Sequence, residues 1–141
     1  MNPNALQAKA QRCGWRVITE RDASGPMITL VRDEWELWVA FSGTAPEAAT
    51  IRMPGRGEHQ RIPLREIGQW VRGDRHQMSR FAIGDRVTVV GRSGIVTDIT
   101  LALIHHAGRP GAIRLRIDYD HGGVGTPFSD QVHRPHAELH R

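Results

Sequence analysis

Arginine is the residue type whose spacing in this chain most plainly offers chemistry. Arg52, Arg56, Arg61, Arg65, Arg72, Arg75 and Arg80 stand in one short window against Glu58, Glu66 and Asp74. The formal net charge of the whole chain is +4, and because acids and bases nearly cancel on both flanks, this window carries the surplus. Clustered guanidinium groups meet phosphate, or an acidic protein, through forked charge-assisted hydrogen bonds. Arg52, Arg56, Arg61, Arg65, Arg72 and Arg75 are therefore the candidate nucleic-acid contacts. A solvated linker would carry the same charge, and for so small a surplus both readings stand.

The other residues able to do chemistry point away from catalysis. Among eight histidines, His105-His106 and the set His133, His136 and His140 invite a metal reading. Pro135 interrupts the latter set, and no cysteine or carboxylate cluster supplies the remaining ligands that zinc takes, so no metal and no cofactor is expected. Asp118, Asp120 and His121 resemble an acid-base group, but alternation puts both aspartates beside Arg114 and Arg116, where ion pairing accounts for them. No serine or cysteine sits in a nucleophile elbow. Cys13 stands alone, cannot form an internal disulfide, and fits a small buried apolar position in a reducing, cytoplasmic setting.

These residues must be positioned by secondary structure, which the first half spells out. Asn2-Pro3 suits an N-cap and first helical residue, with Leu6, Ala10 and Cys13 on one helical face and Gly14 at the end. Trp15 to Glu20 and Met27 to Val31 read as strands about a turn at 23–26. In WELWVAFS, Trp35, Leu37, Val39 and Phe41 share a face that must be core, while Trp38 falls on the other. Trp38 either lies under a helix, the favoured reading, or presents an aromatic surface to a base or a partner. Residues 43–49 read as a loop, Thr50 to Met53 as a short strand, and 54–61 as a glycine-rich polar excursion without nucleotide-loop spacing. Pro63 to Arg72 reads as a helix with Leu64, Ile67, Trp70 and Val71 inward and Arg65, Gln69 and Arg72 outward, continuing the basic surface of the preceding loop. The resulting order, α-β-β-β-β-α over residues 1–73, is similar to that of the double-stranded-RNA-binding domain. That family's lysine-rich final helix start is absent, and no residue carries over.

Residues 74–80 read as a linker. Beyond it, FAIGDRVTVVGRSGIVTDI alternates on both sides of a glycine-bounded turn at 91–94, the mark of a β-hairpin. Ile95, Ile99, Leu101 and Leu103 are expected to share a face, with the strand running to about His106 and a turn at 107–111. In IRLRIDYD, Ile113, Leu115, Ile117 and Tyr119 oppose Arg114, Arg116, Asp118 and Asp120. A turn at 121–125, a short strand at 126–128 and a one-turn helix at 129–131 follow, and 134–141 reads as a flexible tail. Short bent strands at this spacing close most easily into a small barrel.

The run Gly84-Asp85-Arg86-Val87, with Val89, Gly91, Gly94 and Val96, then IRLRIDYD and SDQVH, resembles the SH3-like barrels of the KOW and Tudor type over residues 81–133. The resemblance implies a binding module for nucleic acid, ribosome or polymerase components, or peptide, and implies no catalysis.

The expected chain is thus α+β: a helix-flanked antiparallel sheet followed by a small SH3-like β-barrel. No apolar run approaches the length of a membrane helix, and the start lacks the pattern of a secretory signal. The expected function is non-enzymatic nucleic-acid binding, DNA or RNA, in an accessory or regulatory role. The alternative is a protein-binding adaptor or inhibitor using Trp38, Arg114, Arg116 and Tyr119.

Overall fold

A computed structural model describes residues 1–102 and 113–135. The chain divides into two compact units, Met1–Arg72 and Gly73–Arg141, and the coarse expectation of a mixed chain built on antiparallel sheets holds. Among the described residues no helix is long and apolar enough to cross a membrane.

The first unit opens with helix α1 (Pro3–Arg12). Asn2 Oδ1 accepts the Ala5 N–H at 2.7 Å, which satisfies one of the orphan donors of the first turn. Five antiparallel strands follow, β1 (Arg16–Asp22), β2 (Gly25–Arg32), β3 (Trp35–Ser42), β4 (Ala45–Arg52) and β5 (Gln60–Arg61), ordered as in the sequence. Ile28, Leu30, Trp35, Leu37, Val39, Phe41 and Ile51 are buried on one face of this sheet, as period-two alternation requires. A 3-10 turn (Leu64–Glu66) leads into helix α2 (Ile67–Val71). Trp70 packs at 5.4 Å from Trp35, and Trp15 Nε1 donates to the Val71 carbonyl at 2.9 Å, so α2 closes the buried face. Arg32, only 4 % exposed, donates to the Cys13 carbonyl at 2.9 Å and lies over the Trp15 ring. A cation there complements the negative end of α1.

Four local expectations are corrected in this unit. Residues 43–49 are not a loop: Ser42 pairs with Ala45, Gly43 takes a left-handed φ of +63°, and strand β4 starts at once. The excursion at 54–61 ends in β5, paired to Thr50 and Ile51. Leu64 does not face inward but is 41 % exposed, because the helix starts as a 3-10 turn whose winding differs from that of α2. Cys13 is half-buried rather than buried, as the residue that ends α1.

The second unit starts with helix α3 (Arg75–Met78), N-capped by the Asp74 side chain. The expected linker at 74–80 therefore contains a capped helical turn whose Met78 is 1 % exposed. Arg80 donates to the carbonyls of Ser129 and Val132 at 3.0 and 3.2 Å. Strands β6 (Arg86–Val89), β7 (Arg92–Leu101), β8 (Ile113–Tyr119) and β9 (Val124–Gly125) form an antiparallel meander in that order. Val87, Val96, Ile99, Ile113, Leu115, Ile117 and Val132 form its core.

Here too the sequence pattern misplaces details. The β6–β7 turn is Val90-Gly91, not 91–94, since Val89 already pairs with Arg92. A register shift between Val96 and Asp98 inserts Thr97 as a bulge, which puts Val96 and Ile99 on the core face in place of the expected Ile95 and Ile99. The expected strand at 126–128 is a single bridge between Arg114 and Phe128, and after a 3-10 turn (Ser129–Gln131) His133 bridges to Thr88. Arg134, expected in a flexible tail, donates to Asp85 at 3.3 Å and to the Arg80 carbonyl at 2.8 Å. The expectations for Leu103, His105, His106, the turn at 107–111, His136 and His140 lie outside the described residues.

Candidate nucleic-acid interface

The face of the first sheet opposite the core is defined by cross-strand register. Ile18 pairs with Thr29, Thr29 with Trp38, Trp38 with Thr50, and Thr50 with Arg61. Directly paired residues share a face, so these five form one row across all five strands. The next row holds Arg16, Val31, Glu36 and Arg52. Among the described residues no helix covers this face: α2 lies against the other one through Trp70, and α1 buries Leu6 and Ala10.

Trp38 stands at the middle of the row. It is 43 % exposed, whereas Trp15, Trp35 and Trp70 are exposed by 3 % or less. The favoured reading of a covered Trp38 is thus corrected, because the helices pack on the face that carries Trp35. A rigid ring partner holds the indole. The His59 imidazole stacks on it at 3.8 Å between centroids, with 29° between planes, and is itself fixed at both nitrogens. Thr50 Oγ1 lies 3.0 Å from Nδ1 and Glu36 Oε1 lies 2.8 Å from Nε2. Arg52 reaches the other Glu36 oxygen at 3.5 Å, so Glu36 is shared between two basic groups.

Thr50, His59 and Glu36 are joined in the manner of a catalytic triad, but Thr50 lies in the middle of β4, where its own N–H and C=O belong to the sheet. A nucleophile needs converging donors for the developing oxyanion, and a strand interior offers none. The chain Thr50-His59-Glu36-Arg52 instead fixes the ring beneath Trp38. His59 was missed from the sequence because only the return of the chain after β4 to pair as β5, together with the β3–β4 register, brings it against Trp38. The alternation of Glu36 with Trp38 and of Thr50 with Arg52 was the available signal.

The window of arginines does not form one continuous surface. Arg52 and Arg61 lie on the open face, with Arg61 Cα roughly 10 Å from that of Trp38 across two strand spacings. Arg56 hydrogen-bonds Gln60 at the loop before β5. Arg65 and Arg72 flank α2 on the helical side, and Arg75 belongs to α3 in the second unit. Arg80 is a structural clamp.

The candidate partner residues of the second unit serve mainly its own fold. Arg114 donates to the Thr126 carbonyl at 2.7 Å and covers the Phe128 ring at 4.1 Å. Tyr119 projects to the core side of β8, under the Arg92 guanidinium at 3.9 Å and across Gly125, where a Cβ would meet its hydroxyl at 2.6 Å. Arg116 points to the opposite, exposed side and pairs with Asp118 at 3.7 Å. Asp120 pairs with Arg86 at 2.8 Å rather than with Arg114 or Arg116. Among the described residues no three His, Cys, Asp or Glu side chains are grouped to hold a metal. Compared with protein-family models, curated proteins and solved structures, the chain finds no match.

Proposed function

We propose that this chain is a non-enzymatic nucleic-acid-binding protein that takes a single strand across the open face of its first sheet. The observation that carries this reading is Trp38, an exposed indole at the centre of an uncovered antiparallel sheet, held flat by His59 and bordered by Arg52 and Arg61. Every base has a π-face, so an exposed aromatic stacks any of them, while arginines follow the phosphates. Thr29, beside Trp38 in its row, adds a hydroxyl to the same face, while the Thr50 hydroxyl on the other side is engaged by His59.

The second unit is read as an SH3-like small barrel. Its four-strand meander supports this, as does the course of the chain after β9, which bridges first to β8 and then, past a 3-10 turn, to β6. On this reading it is an accessory module in a regulatory protein, and Arg116 and Arg86 are among the arginines it turns outward.

Tryptophan fluorescence tests the proposal. Three of four indoles are buried, so stacking of a base on Trp38 quenches the exposed fraction of the signal. Mixed-sequence single-stranded RNA and DNA are titrated in parallel. With two phosphate contacts, log K falls with log salt at a slope of about −1.4, so affinity drops about sevenfold between roughly 50 and 200 mM salt. Absence of quenching by either polymer at the lower salt would refute the reading.

A further inference from the structure

A second cationic surface lies on the helix-covered side of the same unit and is independent of the open sheet face. Between α1 and α2 is an open cleft of about 310 Å³, lined by Lys9, Arg65, Gly68 and Arg72 and rimmed by Met1, Pro46 and Leu64. Gly68 forms its floor. A methyl group there would stand 3.1 Å from Lys9 Nζ and 3.6 Å from an Arg72 guanidinium nitrogen, so the two cations converge on one point. Among the described residues no carboxylate pairs with Lys9, Arg65 or Arg72.

We propose that this cleft is an anion site for a compact phosphoryl group, held by Lys9, Arg65 and Arg72 over Gly68. Like charges repel and gain nothing from one another on folding, yet α1 and α2 bring these together. The site is positive enough to act on its own members. Burial, then Arg72, then Arg12 lower the Lys9 pKa, while Cys13 acts in the opposite direction. A doubly charged phosphoryl oxygen cluster relieves that repulsion and matches one ammonium and two guanidinium forks. Leu64 and Met1, 41 % and 51 % exposed, give the rim an apolar character suited to a phosphate carried on an organic group.

Binding is measured by thermal shift and calorimetry on the full chain with inorganic phosphate, with adenosine monophosphate and with adenosine, at matched ionic strength. Phosphate is expected to stabilise the protein and adenosine is not. A monophosphate stronger than free phosphate assigns the site to a phosphorylated organic ligand, and equal binding assigns it to the free anion; either result supports the phosphoryl chemistry. Lys9→Gln and Arg72→Gln should each weaken phosphate at least tenfold while leaving the unliganded melting temperature unchanged or higher, because each removes a repelling charge. No stabilisation of the wild-type chain beyond sodium chloride would overturn the proposal. So would undiminished binding in the double variant, adenosine binding as tightly as its monophosphate, or a fall in the unliganded stability of both variants. Inorganic phosphate has no base to stack on Trp38, and the adenosine and adenosine monophosphate titrations are repeated in Trp38→Ala, so failure here is distinguishable from failure of the sheet-face reading, which Trp38 fluorescence reports.

Discussion

Val90 is a residue whose replacement should improve the fold. It and Gly91 form the two-residue loop between Val89 and Arg92, with φ of +49° and +77°. Positive φ at both central positions is the mark of a type I′ hairpin turn, which Asn-Gly satisfies best. For an L-residue the left-handed conformation costs about 1–2 kcal/mol, and a β-branched side chain is the least tolerant of it. Val90 is 92 % exposed, so its side chain contributes almost no packing to lose. Val90→Asn should therefore stabilise the second unit by about 1 kcal/mol, which for a unit of this size raises its midpoint by about 4–8 °C. Val90→Gly should gain less, since glycine also frees the unfolded chain. All four tryptophans lie in the first unit, so unfolding of the second is followed by far-ultraviolet circular dichroism or by amide exchange in β6 and β7. Gly91→Ala is the control: nothing lies within 4 Å of its added Cβ, so its loss of about 1 kcal/mol is purely conformational. If Val90→Asn leaves the second unit unchanged or weakens it, the turn assignment is wrong.

Other perturbations follow from the same geometry. Trp38→Ala should weaken single-strand binding by about 1–3 kcal/mol, about 5- to 150-fold, with little change in the unfolding midpoint; unchanged affinity would remove Trp38 from the interface. Arg32→Met should cost about 2–3 kcal/mol, because a charged hydrogen bond to the end of α1 is lost, and since Arg32 is buried this cost should barely change with salt in urea titrations. Gly94→Ala should destabilise the second unit by about 1–3 kcal/mol through overpacking, as the new Cβ would lie 2.5 Å from the Asp118 carbonyl oxygen. The folded-state pKa of Lys9 is depressed, so the unfolded chain binds the extra proton first and stability should rise as pH climbs through the folded pKa toward the ordinary lysine value. Lys9→Gln should abolish that rise in alkaline unfolding titrations.

What the sequence reveals here is local and periodic. Alternation alone identifies Trp35, Leu37, Val39 and Phe41 as core, and the Asn2-Pro3 cap and the β8 pattern of Ile113, Leu115 and Ile117 are equally legible. Features fixed by pairing between distant strands are not. The Thr97 bulge exchanges Ile95 for Val96 on the core face without changing the composition of the strand. Val90 gives no hint of a turn, since its valine side chain favours extended backbone. The arginine window looks continuous because the sequence cannot say which side of a sheet the residues beyond β4 will take. In the fold, Arg52 and Arg61 go to the open face, and Arg65 and Arg72 to the helical side. The stacking of His59 on Trp38 depends on a reversal between β4 and β5 that residue types around Gly55 and Gly57 permit but do not specify.

The central claim, that a nucleic-acid strand lies across the row through Trp38, is tested most directly by nitrogen-proton correlation spectra of the chain with and without a short single-stranded oligonucleotide. The Trp38 indole resonance and the amides of Thr29, Thr50 and Arg61 should shift together, while the indoles of Trp15, Trp35 and Trp70 stay in place. Shifts confined to the second unit, or a spectrum unaltered by saturating oligonucleotide at low salt, would contradict it.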